Sequence, residues 1–158
     1  MILKRWDQLP GNMKTEIVRK YYDILYRKRI SLVLKRIFDL VLAIITLIIL
    51  SPLFIILSVA IKMDSKGPIM FIQTRVTQYG KKFMIFKFRT MIDNAVKKGS
   101  QITTKNDERV TRVGKVLRKF RLDEIPQLFN IIAGDMSFVG TRPEVPKYVD
   151  RYTDEMMA

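Results

Sequence analysis

Asp123 and Glu124 stand side by side in the stretch Arg121–Leu128, RLDEIPQL. Adjacent carboxylates offer two kinds of chemistry: an oxygen nucleophile that attacks phosphorus, and ligands for a hard cation such as Mg²⁺. The residues that follow place Ile125, Leu128, Ile131 and Ile132 on one helical face, with Pro126 in the first turn and Gly134 at the end. Asp123 is therefore expected to cap this helix, where the dipole favours an ionised carboxylate and also a bound phosphate. An N-cap beside a surface glutamate is the plainer reading of the fragment by itself, so the surroundings must decide.

Cations supply that context. Lys82–Met91 reads as a strand whose period of two puts Met84, Phe86 and Phe88 on one face and Lys87 and Arg89 together on the other. Two cations at that spacing can grip a pyrophosphate, or can simply form the solvated face of a half-buried hairpin. Asp107–Phe120 reads as a basic amphipathic helix, with Val110, Val113, Leu117 and Phe120 on one face and Arg109, Arg112, Lys115, Arg118 and Lys119 around the rest. Arg142 precedes Pro143, which restricts it to an extended backbone suited to holding phosphate in a bidentate grip.

The whole composition agrees on the class of partner. The chain has 158 residues, a formal net charge of +14, and neither cysteine nor histidine. The length suits one domain, and the charge calls for an anionic partner: a phosphorylated substrate, anionic lipid or nucleic acid. Without cysteine there is no thiolate chemistry and no disulfide; without histidine, acid–base or metal chemistry falls to carboxylates.

Two N-terminal elements would hold this site at a membrane. Residues 1–34 form a basic leader, in which Ile17, Val18, Tyr21, Tyr22 and Leu25 predict an amphipathic helix over roughly residues 13–28. Leu40–Ile61 is a run of about 22 uncharged residues, long enough to cross a hydrocarbon core of roughly 30 Å. Ser51-Pro52 interrupts it, and Lys35 and Arg36 before it are matched by Lys62 and Lys66 after it. Cations at both ends give no reason to place those ends on opposite sides. A kinked spanning helix and a helix that breaks at Ser51-Pro52 and returns to the same face both satisfy these features. Ile69–Val76 and the Lys82 strand then form a β-hairpin across Thr77–Gly80; residues 93–106 read as a polar loop, Met136–Val139 as a short strand, and Lys147–Ala158 as helix-compatible.

Seven pieces in order resemble the monotopic phosphoglycosyl transferases, the bacterial sugar transferases. They are KRIFD at 35–39, the apolar run with Ser51-Pro52, DSKGP at 64–68, KFRTM at 87–91, TRVGKVLR at 111–118, LDEIPQL at 122–128, and GDMSFVG with Arg-Pro at 134–143. The resemblance implies transfer of a sugar-1-phosphate from a UDP-sugar to polyprenol phosphate with release of UMP, an early membrane step of capsule, exopolysaccharide or glycan synthesis. It gives Asp123 the role of a nucleophile forming a covalent phosphosugar intermediate and Glu124 a supporting role. Glu124 would support Mg²⁺ binding or proton transfer, and Arg142-Pro143 would bind substrate phosphate. From the residues themselves, Asp123 and Glu124 are expected to act with Lys87, Arg89, Arg112 and Arg142 around a Mg²⁺–pyrophosphate. The resemblance also implies a re-entrant helix broken at Ser51-Pro52, with the catalytic domain on the cytoplasmic face of a bacterial membrane.

The fold expected is thus α+β and membrane-associated: an amphipathic leader at 1–34, a re-entrant helix at 35–62 and a small cytoplasmic catalytic domain at 63–158. Lys35 and Arg36 are expected at anionic headgroups, and a homo-oligomer is left open. Two features depart from the family. Thr141 stands where Pro-Arg-Pro is usual, and a Pro-Gly-Ile-Thr-Gly-like turn found further on in the family is not in these 158 residues, so the domain is expected to be C-terminally truncated. The competing readings are an inactive anchored fragment of the same fold, a cationic lipid-surface anchor and a nucleic-acid-binding protein. The last would need a binding module or aromatic platforms, and none is found, so nucleic acid is not an expected partner.

Overall fold

The computed structural model describes residues 3–93, 107–153 and 156. Helix α1 spans Glu16–Arg27, and the Thr15 hydroxyl caps it by accepting from the Val18 N–H at 3.3 Å. One residue later α2 begins, running from Arg29 to Asp64 as a single 36-residue helix with Pro52 inside it. The membrane helix therefore begins six residues earlier than expected and draws part of the leader into itself.

Strands β1 (Met70–Val76) and β2 (Lys82–Phe88) pair antiparallel, with Met70 opposite Phe88 and Val76 opposite Lys82. The hairpin is where the apolar alternation placed it. β2 ends at Phe88, and Arg89, just past it, still donates its backbone N–H to the Ile69 carbonyl at 2.8 Å. Phe83, Ile85 and Phe88 are buried whereas Met84 is exposed, because β2 is covered on both faces in part rather than on one throughout. The Asn130 amide closes the free edge of β2: it accepts from the Phe86 N–H at 3.0 Å and donates to the Met84 carbonyl at 2.7 Å.

Helix α3 spans Arg112–Lys119, shorter than the Asp107–Phe120 pattern, and starts at Thr111, whose hydroxyl accepts from the Gly114 N–H at 2.9 Å. The acidic pair does not cap the next helix. Arg121 adopts a left-handed backbone (φ 59°), Leu122–Glu124 forms a 3-10 turn, and α4 (Gln127–Ala133) starts only after Pro126. Gly134 ends α4 as expected, at φ 89°, where a left-handed residue returns its N–H to the carbonyls of Asn130 and Ile131. Residues 136–139 do not form the short strand anticipated there; the chain turns, and Glu144 makes an isolated bridge to Val76 before the short α5 (Pro146–Val149). The expected polar loop at 93–106 lies, apart from Asp93, outside the described residues.

Two apolar clusters hold these pieces on α2. Ala43, with Leu47, packs on Leu128 and Ile131 of α4. Ile61, with Phe54 and Leu57, packs on Phe88 and Leu117. Ile125, next to the acidic pair, touches both clusters. The rest of α2 is bare: Ile48, Ile49, Ile55 and Ile56 are each more than 60 % exposed. This helix is long and apolar enough to cross a bilayer, and the little of it that is covered suggests a membrane location.

Candidate active site

The turn made by Arg121 throws the acidic pair forward instead of winding it into a helix. Its floor is a cleft of about 540 Å³ lined by Asp123, Glu124, Lys87, Arg118, Arg121 and Arg142, with Thr90, Gln73 and Phe71. Four cations face two carboxylates, so the cleft keeps an excess of positive charge for a polyanion.

Glu124 is the hub of this arrangement. Its Oε1 accepts from Lys87 Nζ at 3.1 Å and from Arg142 Nη2 at 3.3 Å, bringing together β2, the 3-10 turn and the Arg142 segment. Burial pushes the Glu124 carboxyl up, but the Lys87 hydrogen bond and charge, with Arg142 and Arg121, outweigh it and hold the carboxyl below its ordinary range. Asp123 differs. Its Oδ1 is buried without a hydrogen-bond partner, and burial raises its pKa against the pull of Lys87, with the Glu124 charge adding to the rise. A carboxylate oxygen stripped of donors is a better nucleophile and a ready ligand than one that is hydrogen-bonded.

Arg118 and Arg121 complete the cleft and were not singled out from the sequence. Arg118 Nε donates to Thr90 Oγ1 at 2.9 Å. Thr90 is held in turn by its backbone carbonyl, which accepts from Thr111 N–H at 3.1 Å and lies against Gly114. A glycine four residues before an arginine, on one helix face, was the legible signal for Arg118. Nothing in the residue types announces the left-handed turn at Arg121.

The structure separates two of the expected phosphate ligands from the cleft. Arg89 is 5 % exposed and its guanidinium is held away from the cleft, with Nη2 donating to the Ser65 carbonyl at 2.6 Å and to Ser65 Oγ at 2.8 Å, although its backbone N–H still donates to the Ile69 carbonyl at 2.8 Å. Arg112, at the start of α3, is exposed and does not line the cleft. Pro143 contributes backbone: its carbonyl accepts from Arg75 Nη1 at 3.2 Å, and Val76 N–H donates to the Glu144 carbonyl at 2.8 Å, which anchors the Arg142 segment to β1.

Lys35 and Arg36, expected at headgroups, face the protein. Lys35 Nζ pairs with Asp39 at 3.0 Å and meets the Ser137 hydroxyl, which itself donates to Asp39 at 2.6 Å. Arg36 donates to the Ile131 carbonyl at 2.6 Å and the Ile132 carbonyl at 3.0 Å, the open end of α4. Ser51 Oγ donates to the Ile48 carbonyl at 2.8 Å.

A divalent ion fits this cleft as a partner shared with substrate. Among the described residues no three acidic, histidine or cysteine side chains cluster into a cage. Mg²⁺, however, is commonly held by one or two carboxylates plus substrate phosphates, and the unpartnered Asp123 Oδ1 beside Glu124 is that kind of donor set.

Residues 22–158 match the family described as bacterial sugar transferase. Over 123 residues the chain is 46% identical to the UDP-N-acetylgalactosamine-undecaprenyl-phosphate N-acetylgalactosaminephosphotransferase of Aeromonas hydrophila, covering 78% of this chain and 29% of that one. It is 41% identical over 125 residues to a UDP-glucose:undecaprenyl-phosphate glucose-1-phosphate transferase of Klebsiella pneumoniae, covering 78% and 26%. It is 42% identical over 144 residues to an undecaprenyl-phosphate galactose phosphotransferase of Salmonella typhimurium, covering 82% and 30%. The chain thus spans less than a third of the length of these relatives. Matched through both membrane helix and acidic cleft, the chain belongs to the bacterial sugar transferase family.

Proposed function

We propose that the chain transfers a sugar-1-phosphate from a UDP-sugar to polyprenol phosphate through a covalent intermediate on Asp123. The observation that carries this reading is the buried, unpartnered Asp123 Oδ1 in a cleft lined by Lys87, Arg118, Arg121 and Arg142. An Asp123 oxygen attacks the phosphorus that bears the sugar, the bond from that phosphorus to the oxygen bridging to UMP breaks, and UMP departs with the electron pair. A phosphate oxygen of the polyprenol phosphate then attacks the same phosphorus, breaks the acyl phosphate and returns Asp123 as a carboxylate.

The cations of the cleft stabilise charge as it gathers on the phosphoryl oxygens and the leaving UMP. Lys87 and Arg142 also hold Glu124 in place. Asp123 and Glu124 would hold Mg²⁺, which when bound neutralises phosphate charge and makes phosphorus a better electrophile. The acceptor explains the architecture: a lipid phosphate must meet a nucleotide sugar, and Ile125 links the cleft directly to both parts of α2. We read α2 as re-entrant, bending at Ser51-Pro52 so that the domain stays on the cytoplasmic face. The support is that residues on both sides of Pro52 pack on one small domain: Ala43 on α4, and Ile61 with the Asp64 carboxylate on α3. The relatives' names span N-acetylgalactosamine, glucose and galactose at similar identity, so the sugar is left to experiment. One relative named as an exopolysaccharide production protein is consistent with a role in envelope polysaccharide synthesis.

The test is intact mass of the detergent-purified chain after mixing with Mg²⁺ and a panel of UDP-sugars, without lipid acceptor. A phosphosugar adduct absent from Asp123→Asn is the expected result. UMP release that persists unchanged in Asp123→Asn would overturn the assignment.

A further inference from the structure

The N-terminal segment folds back on α1 but covers only one side of it. Trp6 meets Tyr22 edge-on with ring centroids 5.2 Å apart, Arg19 lies over Trp6 at 4.7 Å, and Tyr22 Oη donates to the Lys4 carbonyl at 3.1 Å. The Lys4 N–H donates to Tyr79 Oη at 2.9 Å, which fastens this hook to the tip of the β-hairpin. Val18 and Tyr22 are buried as a result. The neighbouring stripe is not: Ile17, Tyr21 and Ile24, spaced at i, i+4 and i+7, are 41%, 49% and 49% exposed.

We infer that this stripe of α1 lies in the headgroup region of an anionic bilayer, making the leader an interfacial anchor beside the membrane helix. Three observations select a bilayer as the occupant. Lys28 extends the stripe by a further turn and Lys20 and Arg27 flank it, while Glu16 and Asp23 lie further round the same flank, so the charges nearest the stripe are cations and suit anionic lipid. The apolar surface does not stop at α1: only Lys28 separates it from α2, whose first turns expose Ile30, Leu34, Ile37 and Phe38. The junction is also fixed, because Tyr26 stacks on Tyr22 and accepts a hydrogen bond from Arg29 Nη1 at 2.8 Å while that guanidinium lies over its ring. Tyrosines with one apolar and one polar end are suited to such an interface. The inference rests on the membrane reading of α2.

The chain has no cysteine, so single-cysteine labelling is clean. The full chain carrying Ile24→Cys, Asp23→Cys or Ile48→Cys is labelled with an environment-sensitive fluorophore. Each is reconstituted in vesicles of equimolar phosphatidylglycerol and phosphatidylcholine, or of phosphatidylcholine alone, with and without a doxyl-lipid quencher, placed near the headgroups for the two α1 positions and deep in the acyl chains for Ile48→Cys. The expected result is quenching at Ile24→Cys and not at Asp23→Cys, with most of it lost when phosphatidylglycerol is omitted. Equal quenching at both α1 positions overturns the inference. So does an unquenched Ile24→Cys beside a quenched Ile48→Cys, and self-quenching between labelled copies would then name a second copy as the occupant. An unquenched Ile48→Cys instead overturns the membrane placement of α2, and this inference with it.

Discussion

The Ser51 hydroxyl donates at 2.8 Å to the carbonyl of Ile48, the carbonyl that Pro52 leaves without its helical N–H donor. In hydrocarbon an orphaned carbonyl has no water to turn to, so serine before proline repairs the break that proline makes. Ser51→Ala should therefore destabilise the chain by about 0.5–2 kcal/mol in a bilayer mimetic. Thermal unfolding in nanodiscs measures it, and an unchanged midpoint would mean that the Ile48 carbonyl has another donor.

Arg36 makes a second kind of repair. A helix leaves its last carbonyls open, and Arg36, about a hundred residues earlier in the chain, closes that of Ile132 at the end of α4 and shares that of Ile131 with the Gly134 N–H. Arg36→Ala should cost about 2–3 kcal/mol and loosen α4 from α2, with Arg36→Lys recovering only part because a single ammonium does not match the paired geometry of guanidinium. Hydrogen exchange across Leu128–Ala133 would report the loosening directly.

That contact also marks the limit of reading along the chain. Lys35 and Arg36 look like headgroup cations when only the flanking apolar run is considered; their true partners, Asp39, Ser137 and the end of α4, are set by tertiary packing. The membrane helix and hairpin were legible because a long uncharged run and a period of two are strong local signals. The acidic pair stood out by residue type but not by geometry, since one left-handed residue, Arg121, turned an expected helix cap into a 3-10 turn. Lys87 and Arg142 line the cleft while Arg89 does not, because the turn after α2 offers its guanidinium the Ser65 carbonyl and hydroxyl, a tertiary contact that strand periodicity does not encode.

Asn130 tests how the site strand is held. Its amide is 1 % exposed and satisfies both a donor and an acceptor on β2, next to Lys87. Asn130→Leu keeps approximate size but strands the Phe86 N–H and the Met84 carbonyl, at a cost of about 2–4 kcal/mol. Asn130→Asp should be nearly as damaging, since a carboxylate cannot donate to Met84. A stability within error of the parent for either variant would show that the edge is satisfied in another way.

Gly114 sets the distance between α3 and Thr90. A Cβ there would lie 2.1 Å from the Thr90 carbonyl oxygen, which is backbone and cannot step aside. Gly114→Ala should push α3 outward, cost roughly 1–3 kcal/mol, and lengthen the Arg118–Thr90 contact. Adduct formation with the UDP-sugar should fall further than stability alone explains. Arg118→Lys in an otherwise parental chain should reproduce the activity loss without the stability loss, and equal loss of both in the two variants would count against a role for Arg118 at the cleft.

Asp123 and Glu124 are neighbours whose carboxyls are shifted in opposite directions, which gives opposite linkage to pH. The Asp123 carboxyl is raised above its ordinary 3.8, so as pH climbs from that value through the folded one, the native state holds more protons than the unfolded chain and stability falls. Glu124 is lowered below its ordinary 4.5; its contribution is present above that value and is lost as pH falls through the folded one. At neutral pH Asp123→Asn should thus melt above the parent and Glu124→Gln below it, both differences shrinking in acid. Activity runs against the first of these: Asp123→Asn should lose adduct formation by roughly 10⁴-fold or more, as expected when a nucleophile is removed. A destabilised Asp123→Asn would mean that the buried carboxylate is paired in the native state, and that its unpartnered oxygen is not the source of its reactivity.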